Sequence, residues 1–287
     1  LEFFDSQPSL DTASVITATV NGTVGGLNAV LDRGVQLTGR VLAADSLLPL
    51  NDVDVALYNA SGAFAGATAT NPAGAYTVTT SLSSGPYRLQ FTTEASSDSN
   101  TRRYAPEYYN GKASLAAADP LTATVNAVTT AQDATLDRGA TISGTVTTFG
   151  AGQPYTVTVR LYTSNGSFVD SASSAGGAYQ FVGLSAGSYK LEFAPAGNTP
   201  YVTKYYDNRF SLNAADVITV ALNNDYPDRS VILDAGGIIS GTIFANGFGS
   251  LGVADAYVQL YNSNGSLVAN TYSDAAGVYT FGRLFDG

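Results

Sequence analysis

The chain has 287 residues, of which 45% are hydrophobic and 13% charged, and a net charge of −10. That length suits two or three domains with packed cores, and the acidic balance argues against a nucleic-acid or anionic-membrane partner. Cys, His, Met and Trp are absent, which removes disulfides, thiolate and imidazole chemistry, most transition-metal sites and the readily oxidised side chains.

The opening, LEFFDSQPSLDTASVITATV, reads like the middle of a repeat. Its pattern is a charged residue, two aromatics, Asn or Asp, then Ser-Leu and an alternating apolar run. The pattern returns in EYYNGKASLAAADPLTATV from Glu107 and in KYYDNRFSLNAADVITVAL from Lys204. A second signature follows each copy: LDRGVQLTGRV from Leu31, LDRGATISGTV from Leu136 and LDAGGIISGTI from Leu233, spaced by 105 and 97 residues. Self-similarity at this period sets the organisation. Residues 1–30 are the tail and last strand of one repeat, 31–135 and 136–232 are whole repeats, and 233–287 is the first half of another. No apolar stretch approaches the ~20 residues that span a bilayer.

Within the second whole repeat, ATISGTV alternates Ile142, Gly144 and Val146 against Thr and Ser, and YTVTVRLYT puts Tyr155, Val157, Val159 and Leu161 on one face. Ser164–Ser167, SNGS, carries an Asn-Gly pair suited to a tight hairpin. GAYQF follows, and SYKLEF turns Tyr189, Leu191 and Phe193 inward with Lys190 and Glu192 toward solvent. Tyr205-Tyr206 and a last strand, DVITVAL, end the unit, and Val53, Val55, Leu57, Val258 and Leu260 fall on the same face in the other copies. Period-two alternation between Gly-rich turns predicts an all-β fold of tandem Ig-like β-sandwiches, arranged as an elongated rod.

The run SGTV…VTVRLYTSNG…GGAYQFVGLSAGSYKLEF resembles the prealbumin-like domains, which include the regulatory domain of carboxypeptidases and the B-type repeats of Gram-positive surface adhesins. The likeness rests on GAYTV, GAYQF and GVYTF with the strand after them, and covers Leu31–Phe91, Leu136–Phe193 and Leu233–Gly287. It implies a sandwich of a kind that serves as stalk, adhesin, sugar binder or enzyme accessory module. Some adhesin repeats of this family carry a Lys–Asn isopeptide cross-link. Lys112, Lys190 and Lys204 all lie outside the first strand after an LDxG signature, so no such link is expected.

GLSAG, Gly183–Gly187, matches a nucleophile elbow, but no His is present to take the Ser185 proton, and the segment reads as a hairpin turn. Asn51–Asp54, Asp137, Asp234 and Asp274 scatter oxygen ligands without a D-x-D-x-D-G run. Asp at such turns ordinarily bonds its own backbone; no cofactor is expected, and calcium held between repeats is the one metal left open. Four sequons, at Asn21, Asn59, Asn165 and Asn264, are candidate glycosylation sites, the last three read as one hairpin in successive repeats. The pairs Phe3-Phe4, Tyr108-Tyr109 and Tyr205-Tyr206 place one ring on each face of a strand. One ring then enters the core while the other seals the joint to the next repeat or stacks on a sugar.

These features point to a non-enzymatic extracellular or cell-surface structural protein: a stalk, sheath, surface layer or filament. Its partners would be copies of itself or neighbouring repeats. An adhesin or a glycan-binding accessory module is the alternative. The chain reads either as a window on a longer array, favoured because nothing supplies a third counterpart of SYKLEF, or as a subunit whose residues 1–30 complete the next by strand addition.

Overall fold

The structure, a computed structural model, describes residues 3–5, 7, 10–80, 83–130, 132–149, 156–196, 199–247 and 251–285. It comprises two compact units: Leu1–Thr141 with Val182–Ala186 and Ala221–Asn224, and Ile142–Phe181 with Gly187–Val220 and Asp225–Gly287.

The first whole repeat contains β1 (Gln36–Ala43), β2 (Asp54–Asn59), β3 (Phe64–Ala69), β4 (Ala75–Thr79), β5 (Gly85–Thr92), β6 (Glu107–Tyr108), β7 (Leu121–Ala123), β8 (Val128–Thr129) and β9 (Ala134–Leu136). One sheet runs β4-β1-β8, with β9 also on β1; the other runs β3-β2-β5, with β6 and β7 on β5. Alternation aims Leu37, Val55, Leu57, Val78, Leu89 and Phe91 from both sheets into one core, which Leu136 of β9 joins. Each such side chain, fully buried, contributes about 1.5–3 kcal/mol. The arrangement is a β-sandwich.

The second whole repeat follows the same plan with β10 (Ala140–Thr148), β11 (Val157–Thr163), β12 (Phe168–Ser173), β13 (Ala178–Leu184), β14 (Gly187–Pro195), β15 (Lys204–Tyr205), β16 (Ile218–Val220), β17 (Asp225–Tyr226) and β18 (Val231–Leu233). Its sheets are β13-β10-β17 with β18 on β10, and β12-β11-β14 with β15 and β16 on β14. Val157, Val159, Leu161, Leu191 and Phe193 are fully buried; Tyr155 lies outside the described residues. Next, β19 (Gly237–Thr242) and β20 (Tyr257–Tyr261) precede β21 (Leu267–Tyr272) and β22 (Val278–Leu284). They pair as β19-β22 and β20-β21, and Val258 and Leu260 are only partly buried.

Six reversals share one device, an Asn, Asp, Ser or Thr followed three residues on by glycine. Gly62, Gly74, Gly166, Gly177, Gly265 and Gly277 each donate their N–H back to the C=O of Asn59, Asn71, Thr163, Ser174, Asn262 and Asp274. All six glycines have positive φ, which the turn needs and a side chain disfavours.

Three sequence expectations change here. GLSAG is no hairpin, because β13 pairs with β10 and β14 with β11: it carries the chain from one sheet to the other. Lys190 is buried rather than solvated, since the loop after Tyr206 folds over it and its ammonium donates to the C=O of Leu212 (2.9 Å) and Asn213 (3.2 Å). The tail is more than one last strand. After β16 the chain crosses to the opposite sheet and supplies β17 and β18.

Candidate functional site: the joints between repeats

Within the first unit, the segment before β6 meets the LDRG signature edge to edge. Tyr104 and Arg138 form an antiparallel bridge; Ala105 N–H donates to Asp137 C=O (2.9 Å) and Gly139 N–H to Arg103 C=O (2.9 Å). Asp137 N–H donates to the Glu107 carboxylate at 2.9 Å. Burial pushes the Glu107 carboxyl above the usual range; the Asp137 N–H opposes this, and the Asp137 charge adds to it. Gly183, at φ +69°, lies so close to Arg102 C=O that a Cβ there would collide with it. At the opposite end of β1 the Asn126 N–H bonds Arg33 C=O and its side chain reaches Asp32; in the same way, Asn223 N–H bonds Arg138 C=O.

Within the second unit the same joint recurs. Tyr201 and Ala235 form the bridge; Val202 N–H donates to Asp234 C=O (3.1 Å) and Gly236 N–H to Pro200 C=O (2.9 Å). Lys204 takes the place of Glu107. Its ammonium donates to Asp234 Oδ2 (2.6 Å), Ile232 C=O (3.0 Å) and Asn208 Oδ1 (3.2 Å). Lys204 is only 4% exposed and Glu107 8%, so each joint buries one charged group beside the repeated LDxG segment. Arg283, aligned with Gly183 and also at positive φ, donates from Nε to Tyr201 C=O (2.9 Å).

The aromatic pairs lie mostly within their own sandwiches. Tyr109 packs on the first core and its N–H bonds Leu89 C=O. Tyr108 lies opposite Gln90 on β5, its hydroxyl pushed up by burial and by Tyr58. Tyr205 lies opposite Glu192, whose carboxylate also holds Arg160 (2.8 Å) and the Tyr162 hydroxyl (2.7 Å). The Tyr206 ring has the Arg229 guanidinium 5.9 Å from its centroid. Phe3 bridges Gln7, as Tyr108 bridges Lys112 and Tyr205 bridges Arg209, and Phe4 is partly buried. The joint hydrogen bonds come instead from the Tyr104 and Tyr201 segments and from the charged residue before each pair. That residue was visible in the sequence; its inversion from Glu to Lys was the signal passed over.

The sequons divide into types. Asn59 Oδ1 accepts the N–H groups of Ser61 and Ala63, so it initiates its turn, as Asn262 does in β20–β21. Asn59, Asn165 and Asn264 all sit at the same hairpin in successive repeats, as the sequence suggested, with Asn165 and Asn264 two positions further along than Asn59, at the tip. Asn21 is exposed with φ +60°, matching Asn126 and Asn223. Among the calcium candidates, Asp274 Oδ1 accepts the N–H groups of Ala276 and Val278, and Asp234 pairs with Lys204. Within Asn51–Asp54, Asp52 is held below the usual carboxylate range, chiefly by the Ser97 N–H. Among the described residues no three acidic side chains gather to hold a metal.

The fold and its repetition define the class: tandem β-sandwiches. No family model matches the sequence, and no curated protein sequence matches it. Solved structures with which it shares features include the Bacillus anthracis TIE protein, at 15% identity and TM-score 0.29 over 87% of this chain and 43% of that one. The Streptococcal ancillary pilin aligns at 16% identity and TM-score 0.33 over 72% and 63%. GBS52, the minor pilin in Gram-positive Streptococcus agalactiae, aligns at 12% and 0.36 over 70% and 95%. The chain thus spans less than two thirds of the length of the first two.

Proposed function

We propose that the chain is a non-enzymatic structural repeat protein of an extracellular or cell-surface stalk, sheath or filament, with sandwiches at 31–135 and 136–232 and a further one begun at 233. The observation that carries this reading is the repeated joint. Paired backbone hydrogen bonds at Ala105–Asp137 and Val202–Asp234 continue the sandwich's own bonding into the start of the next repeat, as suits a chain that passes load along its length. Surfaces of Ser, Thr and Asn keep it hydrated, and sugars on Asn21, Asn59, Asn165 or Asn264 would add to that. Head-to-tail strand addition between copies fits the same role.

An adhesin or glycan-binding role is the second reading. The half-exposed Tyr257 and Tyr272 rings, 5.1 Å apart, offer a surface on which a sugar could stack.

Pulling single molecules from end to end tests the first reading. Each whole sandwich should unfold as a distinct force peak and release about 30 nm of chain, from ~3.3–3.6 Å per extended residue. A featureless extension at low force would refute it. Saturable glycan binding lost in a Tyr257→Ser, Tyr272→Ser chain would favour the second.

A further inference from the structure

Beyond the structural reading, we propose that the cavity beside Glu107 binds a primary ammonium on an unbranched aliphatic stem, the chemistry of a lysine side chain or a free alkylamine. The second whole repeat shows what this place holds when it is filled. There the Lys204 ammonium donates to Asp234 Oδ2 (2.6 Å), Ile232 C=O (3.0 Å) and Asn208 Oδ1 (3.2 Å), which uses all of its donors. The Phe210 ring lies beside it, its centroid 5.9 Å from the nitrogen.

The first whole repeat keeps the acceptors and lacks the ammonium. Glu107 lies opposite Phe91 on β5, as Lys204 lies opposite Phe193 on β14. Asp137 stands where Asp234 does, and Thr135 lies beside Leu42 as Ile232 lies beside Thr147. Where the second repeat has Lys204, Asn208 and Phe210, the first has the smaller Glu107, Gly111 and Ala113. Ala44, whose N–H bonds Leu136 C=O, stands in the place of Phe149, whose N–H bonds Leu233 C=O. These smaller side chains accompany a cavity of about 290 Å³, lined in part by Ala44, Glu107, Gly111, Thr135 and Asp137. That volume is close to the ~300 Å³ at which small-molecule pockets begin.

The charge in this cavity is uncompensated. Glu107 is more than nine-tenths buried, and its Oε1 accepts the Asp137 N–H. Its Oε2 accepts no hydrogen bond among the described residues. Neither Glu107 nor Asp137 forms an ion pair among those residues, and Lys112 turns to Asp119 instead (3.9 Å). The Asp137 charge opposes ionisation of Glu107, and a cation placed between the two reverses that penalty. The ammonium then donates to Glu107 Oε2, the Asp137 carboxylate and Thr135 C=O, with its stem against Ala44. A calcium ion asks for about six to eight oxygens, and no three acidic side chains gather for a metal among the described residues. An ammonium is satisfied by the acceptors present.

The test titrates the full chain with n-butylammonium chloride, against sodium chloride at matched ionic strength, and follows the backbone amide resonances of Gly111 and Asp137. The expected result is a saturable shift with a Kd on the order of 1 mM, as suits so small a ligand, that sodium does not reproduce. Glu107→Gln should weaken binding about tenfold or more, the worth of one charge-assisted hydrogen bond. Glu107→Lys, which supplies the ammonium from within as Lys204 does, should abolish binding and leave the chain at least as stable to heat. Nα-acetyl-lysine amide and putrescine then distinguish the sources: tighter binding of the first marks a lysine side chain, of the second a free amine, and either supports the site. No shift, a shift that sodium matches, or binding that survives in Glu107→Gln and Glu107→Lys would overturn the proposal.

Discussion

Glu107 and Lys204 occupy the same place in successive repeats, each buried at the head of the strand that begins a tail, and each turns its charged group onto the following LDxG segment. Lys204 meets an opposite charge in Asp234 and finds three acceptors. Glu107 meets Asp137, a like charge, and accepts one N–H from it. One architecture thus holds two joints of different electrostatic character.

The Glu107 joint should be limited by its own charge. A carboxyl whose folded pKa is raised contributes stability that is fully present below the ordinary value of 4.5 and is lost as pH rises through the folded value. Glu107→Gln keeps an oxygen to accept the Asp137 N–H without the charge. Thermal unfolding should show it more stable than the parent at pH 7, with the difference vanishing below pH 4.5. An equal or lower melting temperature at pH 7 would contradict the burial argument.

Lys204→Met should act in the opposite sense. It strands the Asp234 carboxylate, Ile232 C=O and Asn208 beside an apolar chain, a loss of about 3–5 kcal/mol for a buried pair broken on one side; the half-exposed Asp234 holds the cost to the lower end. Denaturant melts of the parent and variant, compared with Asp234→Asn, measure it. A loss below about 1 kcal/mol would class the pair with ordinary surface bridges.

Gly183→Val combines a positive φ with a collision against Arg102 C=O. It should cost about 1–3 kcal/mol and open the Leu136–Gly139 segment to protease. The same change at Gly282, where nothing lies within 4 Å of a Cβ, should be nearly silent.

The tyrosine pair should split in its effects. Tyr109→Ser removes a ring packed on the core and should cost about 2–4 kcal/mol, whereas Tyr108→Ser, on the strand's other face, should cost about 1 kcal/mol or less. Equal losses would return both rings to a shared role at the joint.

Asn59→Ala should cost about 1 kcal/mol, because its side chain starts the β2–β3 turn, while Asn264→Ala should fall within about 0.5 kcal/mol of the parent. Equilibrium unfolding of the two variants distinguishes a turn-forming sequon from a tip sequon, independently of any sugar.

Much of the fold was legible because period and burial coincide: Val157, Val159 and Leu161 alternate and are fully buried, and the repeated signatures mark where each unit recurs. The tails were harder. β6, β8, β15 and β17 are two residues long, too short for any periodicity to show. Lys190 was read as solvated because alternation reports which face a side chain takes, not whether a later loop covers it. The two joints were hidden for a related reason. Gly183 and Arg102 are 81 positions apart, and only folding brings that glycine against that carbonyl.

Amide hydrogen exchange at Ala105, Gly139, Val202 and Gly236 tests the central claim, that the joints are continuous with the sandwiches, most directly. All four donate to backbone carbonyls across a joint. If load passes through these joints, the four amides exchange as slowly as those of the core strands β5 and β14, through the same opening of the structure. Exchange orders of magnitude faster than the cores would make the joints loose linkers and contradict the load-bearing role.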